Sequence, residues 1–166
     1  PPEPAEVIFG GGHIGQCLAR LCAGMDMPYR VYDDRRDILA PERFPGANAL
    51  ICAPFETIGA HIELSSLSYC VIMTYGHDHD ETVLEQLAGN AEIPYIGMVG
   101  SADKARVLIE NIRGRGGAID KRLYCPVGLK IGRNQPQEIA LSILAEIILV
   151  CRGGSLEHMR RDWSAS

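Results

Sequence analysis

The sequence has no surplus of positive charge: 16 lysines and arginines stand against 21 aspartates and glutamates, a net charge of −5. Nucleic-acid binding needs a basic face that displaces counterions, so no nucleic-acid partner is expected. Long apolar runs are lacking too. A membrane-spanning helix takes about 18 or more uncharged residues, and the most apolar segment, 139–150, is broken by Glu146. That segment reads as a buried helix, and no membrane partner is expected. The six cysteines, Cys17, Cys22, Cys52, Cys70, Cys125 and Cys151, contain no C-x-x-C pair, which removes zinc-knuckle and thioredoxin-type readings. Most lie in apolar runs, where a free thiol behaves as a small hydrophobe, and a reducing, cytoplasmic compartment is expected. No internal repeat, low-complexity tract or signal peptide is visible. The start, Pro1-Pro2-Glu3-Pro4, carries no methionine and reads as a linker or trimmed end, which leaves open whether a domain precedes it.

What is present is an ordinary globular composition, 46% hydrophobic and 22% charged, on 166 residues. That length suits one domain and suffices to bury about 68–70% of the unfolded surface. The apolar run Val7-Ile8-Phe9 leads into Gly10-Gly11-Gly12-His13-Ile14-Gly15, a G-x-G-x-x-G turn where a first strand hands over to a first helix. Bare backbone N–H groups and a helix N-terminus at such a turn receive phosphate or pyrophosphate. Tyr29-Arg30-Val31-Tyr32 reads as the second strand, and Asp33 closes it, about 20 residues past the glycines, where the dinucleotide fingerprint places its acid.

Ile14, Leu18, Leu21 and Cys22 share one helical face, and Gly24 is a plausible stop. The polar stretch 34–46, with Pro41 and Pro45, connects to a third strand over 47–53; 55–64 is weakly helical. A fourth strand is predicted at 69–74, apolar nearly throughout as a strand covered on both faces should be. A helix follows over 82–87, then a fifth strand over 94–99. The next helix, 104–113, is ended by Gly114, Gly116 and Gly117. Residues 125–131 form a short strand or extended loop, and 136–151 the last helix. This alternation predicts an α/β fold: a doubly wound, mostly parallel, three-layer, Rossmann-like sheet over 1–151. Residues 152–166 are a tail whose Leu156, Met159 and Trp163 are loose or dock on a neighbour.

In such a sheet the strand order reverses between the first and fourth strands, and ligands bind at their carboxyl ends. The loop Thr74-Tyr75-Gly76-His77-Asp78-His79-Asp80 should therefore face the glycine turn. His13 should point into the same space, so three histidines are expected to converge on one cleft. The His77–Asp80 cluster stays open to three readings: a zinc, iron or manganese site, a ligand contact without metal, or a turn in which Asp80 caps the next helix. After the fifth strand, Gly100 and Ser101 repeat the strand-end pattern. Ser101 can cap a helix, Lys104 and the helix dipole favour an anion, and Arg106 assists or faces solvent. In Cys125-Pro126-Val127-Gly128-Leu129-Lys130-Ile131-Gly132, two glycines and a proline within an apolar run suggest backbone folded closely over something, or a tight structural loop. Glu138, Ser142 and Glu146 share a face of the last helix, either a ligand-binding edge or a solvated one.

Taken together, the segments FGGGHIG, VYDDR, ERFP, GHDHD with Glu81 and Leu84, IGMVGS with Lys104, and CPVGLKIG before PQEIALSILAEI resemble a known family. It is the C-terminal Rossmann domain of the xanthine dehydrogenase accessory proteins, XdhC/CoxI, and the resemblance runs from about Val7 to Ile148. It implies a factor that matures molybdenum hydroxylases. Such a factor binds molybdenum cofactor (molybdopterin) and hands it to an apoenzyme such as xanthine dehydrogenase, as a homodimer. On that reading the cofactor contacts fall on Gly10, Gly11, Gly12, His13, Ile14, Gly15, Asp33, Arg35, Thr74, His77, His79, Gly100, Ser101, Lys104, Gly128 and Glu146, with no metal site and no catalytic residue assigned. The terminal phosphate of molybdopterin, or the pyrophosphate of its dinucleotide forms, suits the glycine turn. Asp33, which usually accepts from a ribose hydroxyl, can accept instead from the pterin amino group and ring N–H. The chain departs from the family at Val127 and Lys130, where isoleucine and an acid are usual, and at Ala102 and Asp103, where a basic pair is usual. Two other functions remain open: an NAD(P)-dependent oxidoreductase with His77 or His79 as general acid/base, and a nucleotide-binding regulatory module.

Overall fold

Alternating burial along the first strand decides the layers. In the computed structural model, which describes residues 3–132 and 134–164, Val7 and Phe9 face one side of the sheet and Ile8 the other, as period-two strand geometry requires. The elements run β1 (Ala5–Phe9), α1 (His13–Gly24), β2 (Tyr29–Asp33), β3 (Ala49–Cys52), β4 (Ser68–Ile72), α2 (His77–Ala88), β5 (Tyr95–Met98), α3 (Ala102–Gly114), β6 (Leu123–Tyr124) and α4 (Pro136–Arg152). Short 3-10 turns occupy Pro41–Arg43 and Phe55–Ala60.

The six strands lie in the order β3-β2-β1-β4-β5-β6, and every neighbouring pair is parallel. Val7 and Phe9 pack with Val83, Leu84 and Leu87 of α2 and Leu108 and Ile112 of α3. On the opposite face Ile8, Val31 and Val71 pack with Leu18 and Cys22 of α1 and Ile143, Leu144 and Ile147 of α4. The fold is thus a doubly wound, three-layer α/β sheet of the Rossmann type, with the order reversing between β1 and β4.

Several boundaries differ from the sequence reading. Helix α2 begins at His77 rather than Thr82: Gly76 is its N-cap, and Asp78 and Asp80 fall in its first turn, where carboxylates are favoured by the helix dipole. A run of polar residues looked like a loop because its contribution is electrostatic rather than periodic. β6 is Leu123–Tyr124, ahead of the predicted 125–131, because Pro126 has no N–H with which to extend the ladder. β3 is shorter at both ends than 47–53. The described part of the tail leaves Leu156, Met159 and Trp163 exposed. Of the linker reading, Pro1 and Pro2 lie outside the described residues, as do Ala165 and Ser166 of the tail. Among the described residues no helix is long and apolar enough to cross a membrane.

Candidate functional site

The carboxyl end of β1 is held by glycines whose side chains would have nowhere to go. Gly10 has φ +117°, and a Cβ there would lie 2.2 Å from the Met73 carbonyl oxygen at the end of β4. A Cβ on Gly15 would lie 2.4 Å from the Gly10 carbonyl oxygen, so the third glycine lets α1 sit against its strand. Gly12 differs. A Cβ there meets nothing within 4 Å, so this N-cap of α1 opens onto free space.

That space is a cleft of about 530 Å³. One wall is 12–15, a second is 73–77 with Asp80, and a third is 99–101 with Lys104. The first intrahelical bond of α1 is donated by Gln16 to the Gly12 carbonyl, so the first-turn amides before it have no partner inside the helix. At the cleft floor, the Thr74 amide and hydroxyl donate to Asp80 Oδ1 at 3.0 and 2.6 Å. Lys104 Nζ donates to the Val99 carbonyl at 2.9 Å and pairs with Asp80 Oδ2. Both side chains of the pair are at most 10% exposed. The charges cancel, so attraction for an anion comes from the amides of α1 and not from a bare lysine. Ser101 Oγ accepts the Lys104 amide at 3.1 Å and caps α3.

Thr74, His77, Gly100, Ser101 and Lys104 therefore meet 12–15 around one cleft. Three other expectations need correction. Asp80 is not the N-cap of α2. It lies within the first turn, and its carboxylate reaches back to Thr74. Only two of the three histidines, His13 and His77, line the cleft. His79 packs its ring 5.1 Å from Phe55 and 4.7 Å from Tyr75, because residues two apart on a helix diverge by about 200°. The face carrying Glu138, Ser142 and Glu146 is neither a solvated edge nor part of the cleft. Glu146 is buried and accepts from Tyr95 Oη at 2.8 Å and from the Gly128 amide at 3.1 Å. The 126–132 loop closes over α4, around a separate hollow of about 490 Å³ that Ser142 and Glu138 also line. Arg106 pairs with Asp103 at 2.9 Å, in solvent. Among the described residues no three His, Cys, Asp or Glu side chains are grouped to hold a metal ion.

Asp33 and Arg35 stand beside the cleft rather than in its wall. Asp33 is fully buried. Its carboxylate accepts from the Gly11 amide at 2.8 Å, from the Arg35 amide and Nε at 3.0 Å each, and from Arg35 Nη2 at 2.9 Å. Burial pushes its pKa up, but the Arg35 guanidinium and the two amides outweigh that and hold it below the usual carboxylate range. The guanidinium lies 4.2 Å from the Tyr75 ring centroid, and Tyr75 Oη donates to Asp34 Oδ2 at 2.9 Å. The sequence reading set Tyr75, Gly76 and Asp80 opposite the glycine turn without assigning them as contacts and did not place Met73 or Val99 there, although all five line the cleft. Their position just past β4 or β5, or one helical turn on, was the available signal.

An all-parallel sheet whose order reverses beside a glycine-lined cleft defines a Rossmann-type domain. The chain belongs to the XdhC family: residues 7–147 match the XdhC Rossmann domain. It is 34% identical over 147 residues to a probable xanthine dehydrogenase subunit of Bacillus subtilis (strain 168), covering 89% of this chain and 43% of that protein. It is 33% identical over 155 residues to the uncharacterized protein YqeB of Escherichia coli (strain K12), covering 89% of this chain and 27% of that one. The crystal structure of a xanthine dehydrogenase from Bacillus halodurans superposes with a TM-score of 0.82 at 27% identity, covering 99% of this chain and 46% of that chain. The chain thus spans less than half the length of each of these relatives. A short-chain dehydrogenase/reductase from Vibrio parahaemolyticus, with a TM-score of 0.57 at 11% identity, shares the fold alone.

Proposed function

We propose that this domain is the cofactor-binding part of a xanthine dehydrogenase accessory protein. It holds molybdenum cofactor as cargo in the glycine-lined cleft and passes it to an apo molybdenum hydroxylase such as xanthine dehydrogenase. Membership of the XdhC family supports the accessory role, as does similarity to a protein named for xanthine dehydrogenase. The observation that carries the binding role is the open backbone at Gly12 facing a cleft of about 530 Å³. On this reading the terminal phosphate meets the amides of 12–15 and the pterin body lies between Thr74 and Ser101, which line the same cleft. The buried lysine and carboxylate are tied to each other, which suits holding a ligand better than moving protons. An NAD(P)-dependent oxidoreductase would have to rely on His77, since His79 is packed against Phe55 and Tyr75.

The test mixes the protein with molybdopterin released from a hydroxylase and follows pterin fluorescence through gel filtration. Retention is expected. Gly12→Val should weaken it at least ~10-fold in a protein that still folds, because a Cβ there opens onto the cleft and meets nothing within 4 Å, while the poorer N-cap should cost only about 1 kcal/mol of stability. Gly15→Ala, which collides with the Gly10 carbonyl, should instead destabilise the fold by about 1–3 kcal/mol. Substrate-dependent oxidation of NADH, with no pterin retained, would overturn the proposal.

A further inference from the structure

We infer that Arg35 and Tyr75 bar the adenosine side of the crevice, so that the cleft takes a phosphate monoester and excludes dinucleotides. This rests on reading the cleft as the ligand site. In a dinucleotide-binding sheet of this topology, the ribose hydroxyls go to the acid that ends β2, and the ligand lies across the point where strand order reverses. The adenosine half then occupies the gap between the loops that follow β2 and β4.

In this protein that gap is filled from both sides. Asp33 receives four hydrogen bonds from Gly11 and Arg35, which engage both of its oxygens. A ribose diol would have to displace the two-pronged guanidinium contact, the strongest kind of carboxylate pairing. Above the guanidinium lies the Tyr75 ring, 4.2 Å from centroid to the arginine carbon. Tyr75 comes from the loop after β4 and reaches Asp34 in the loop after β2, 41 residues away in the chain, closing the gap with a 2.9 Å hydrogen bond. The ring also packs edge-on against His79, at 4.7 Å, and lies 6.3 Å from Phe55, so it is braced from behind. Tyr75 is at the same time a wall of the cleft. The remaining room therefore lies on the β4 and β5 side, over Gly12, Thr74 and Ser101. That side would take the phosphate and the ring system joined to it, while a second nucleoside would have to displace Tyr75 and Arg35.

The test is a fluorescence titration with NADH and NADPH of the wild-type protein, Tyr75→Ala, Arg35→Ala and the double variant, each first checked for an intact fold by circular dichroism and thermal unfolding. Tyr75→Ala leaves the Asp33–Arg35 pair in place, so it reports on the bar even if Arg35→Ala fails to fold. Wild type should show no saturable binding of either dinucleotide up to ~1 mM. Tyr75→Ala should gain NADH affinity, and a folded double variant should gain at least ~10-fold. Wild type binding NADH or NADPH as tightly as the variants would overturn the inference, as would folded variants that gain nothing. Retention of molybdopterin by the wild-type protein is scored separately. Its loss would sink the cleft reading while leaving the dinucleotide result intact.

Discussion

Glu6 is the residue whose chemistry the sequence did not reveal. It sits in β1, at the middle of the sheet, 1% exposed. One carboxyl oxygen accepts the Cys22 thiol at 2.9 Å, and the other has no partner. Burial pushes its pKa up to about 7, with the Cys22 contact pulling the other way. The native protein thus keeps a proton that the unfolded chain releases from about pH 4.5 upward. That contribution to stability is complete below the unfolded pKa and is lost as pH rises through about 7. A shift of this size corresponds to roughly 3 kcal/mol. Urea unfolding at pH 5 and pH 8 should show wild type less stable at pH 8, and Glu6→Gln should flatten the difference. An unchanged slope in the variant would assign the dependence elsewhere. A lone acid in an alternating strand looks solvent-facing, and only the helix packed over it makes it otherwise. Gly10 and Gly15 stand at the opposite extreme: their spacing alone announced a close approach.

At the scale of elements, α4 and the 126–132 loop behave as one unit. Glu146 ties the Gly128 amide to the hydroxyl of Tyr95 on β5. Gly128 has φ +101°, and a Cβ there would lie 2.3 Å from Ser142 Oγ. Gly128→Ala should therefore cost about 2 kcal/mol or more, combining backbone strain with overpacking, read as a lowered midpoint in thermal unfolding. A variant as stable as wild type would mean that the loop does not seat on the helix as described. The strands and helices with strong periodicity were legible from sequence: the apolar run of β4 and the Ile143–Ile147 stripe of α4 needed no structure. The start of α2 was not, because His77, Asp78, His79 and Asp80 contribute no apolar period. β6 was not either, since two residues carry too little pattern to read.

For the molecule as a whole, the two core layers bury half of the cysteines, Cys17, Cys22 and Cys70. All six cysteines are free; Cys22 and Cys70 are fully buried, and Cys52 is exposed. Burial pushes the Cys70 thiol up to about 12 and Cys22 higher still. Ellman's reagent should find six thiols in denaturant, with Cys52 reacting first in the native protein and Cys22 and Cys70 only on unfolding. Fewer than six in denaturant would reveal a covalent link that the fold does not contain. The sequence by itself determined the parallel alternation, the reversal between the first and fourth strands, and the glycine turn. Each of these follows from local periodicity or from the absence of a side chain. Tertiary structure alone decided which groups the cleft keeps. His79 turns away, Lys104 is neutralised by Asp80, and Tyr75 reaches Asp34 across 41 residues. Such pairings depend on where the packed layers bring distant strand ends together, and no local pattern encodes that.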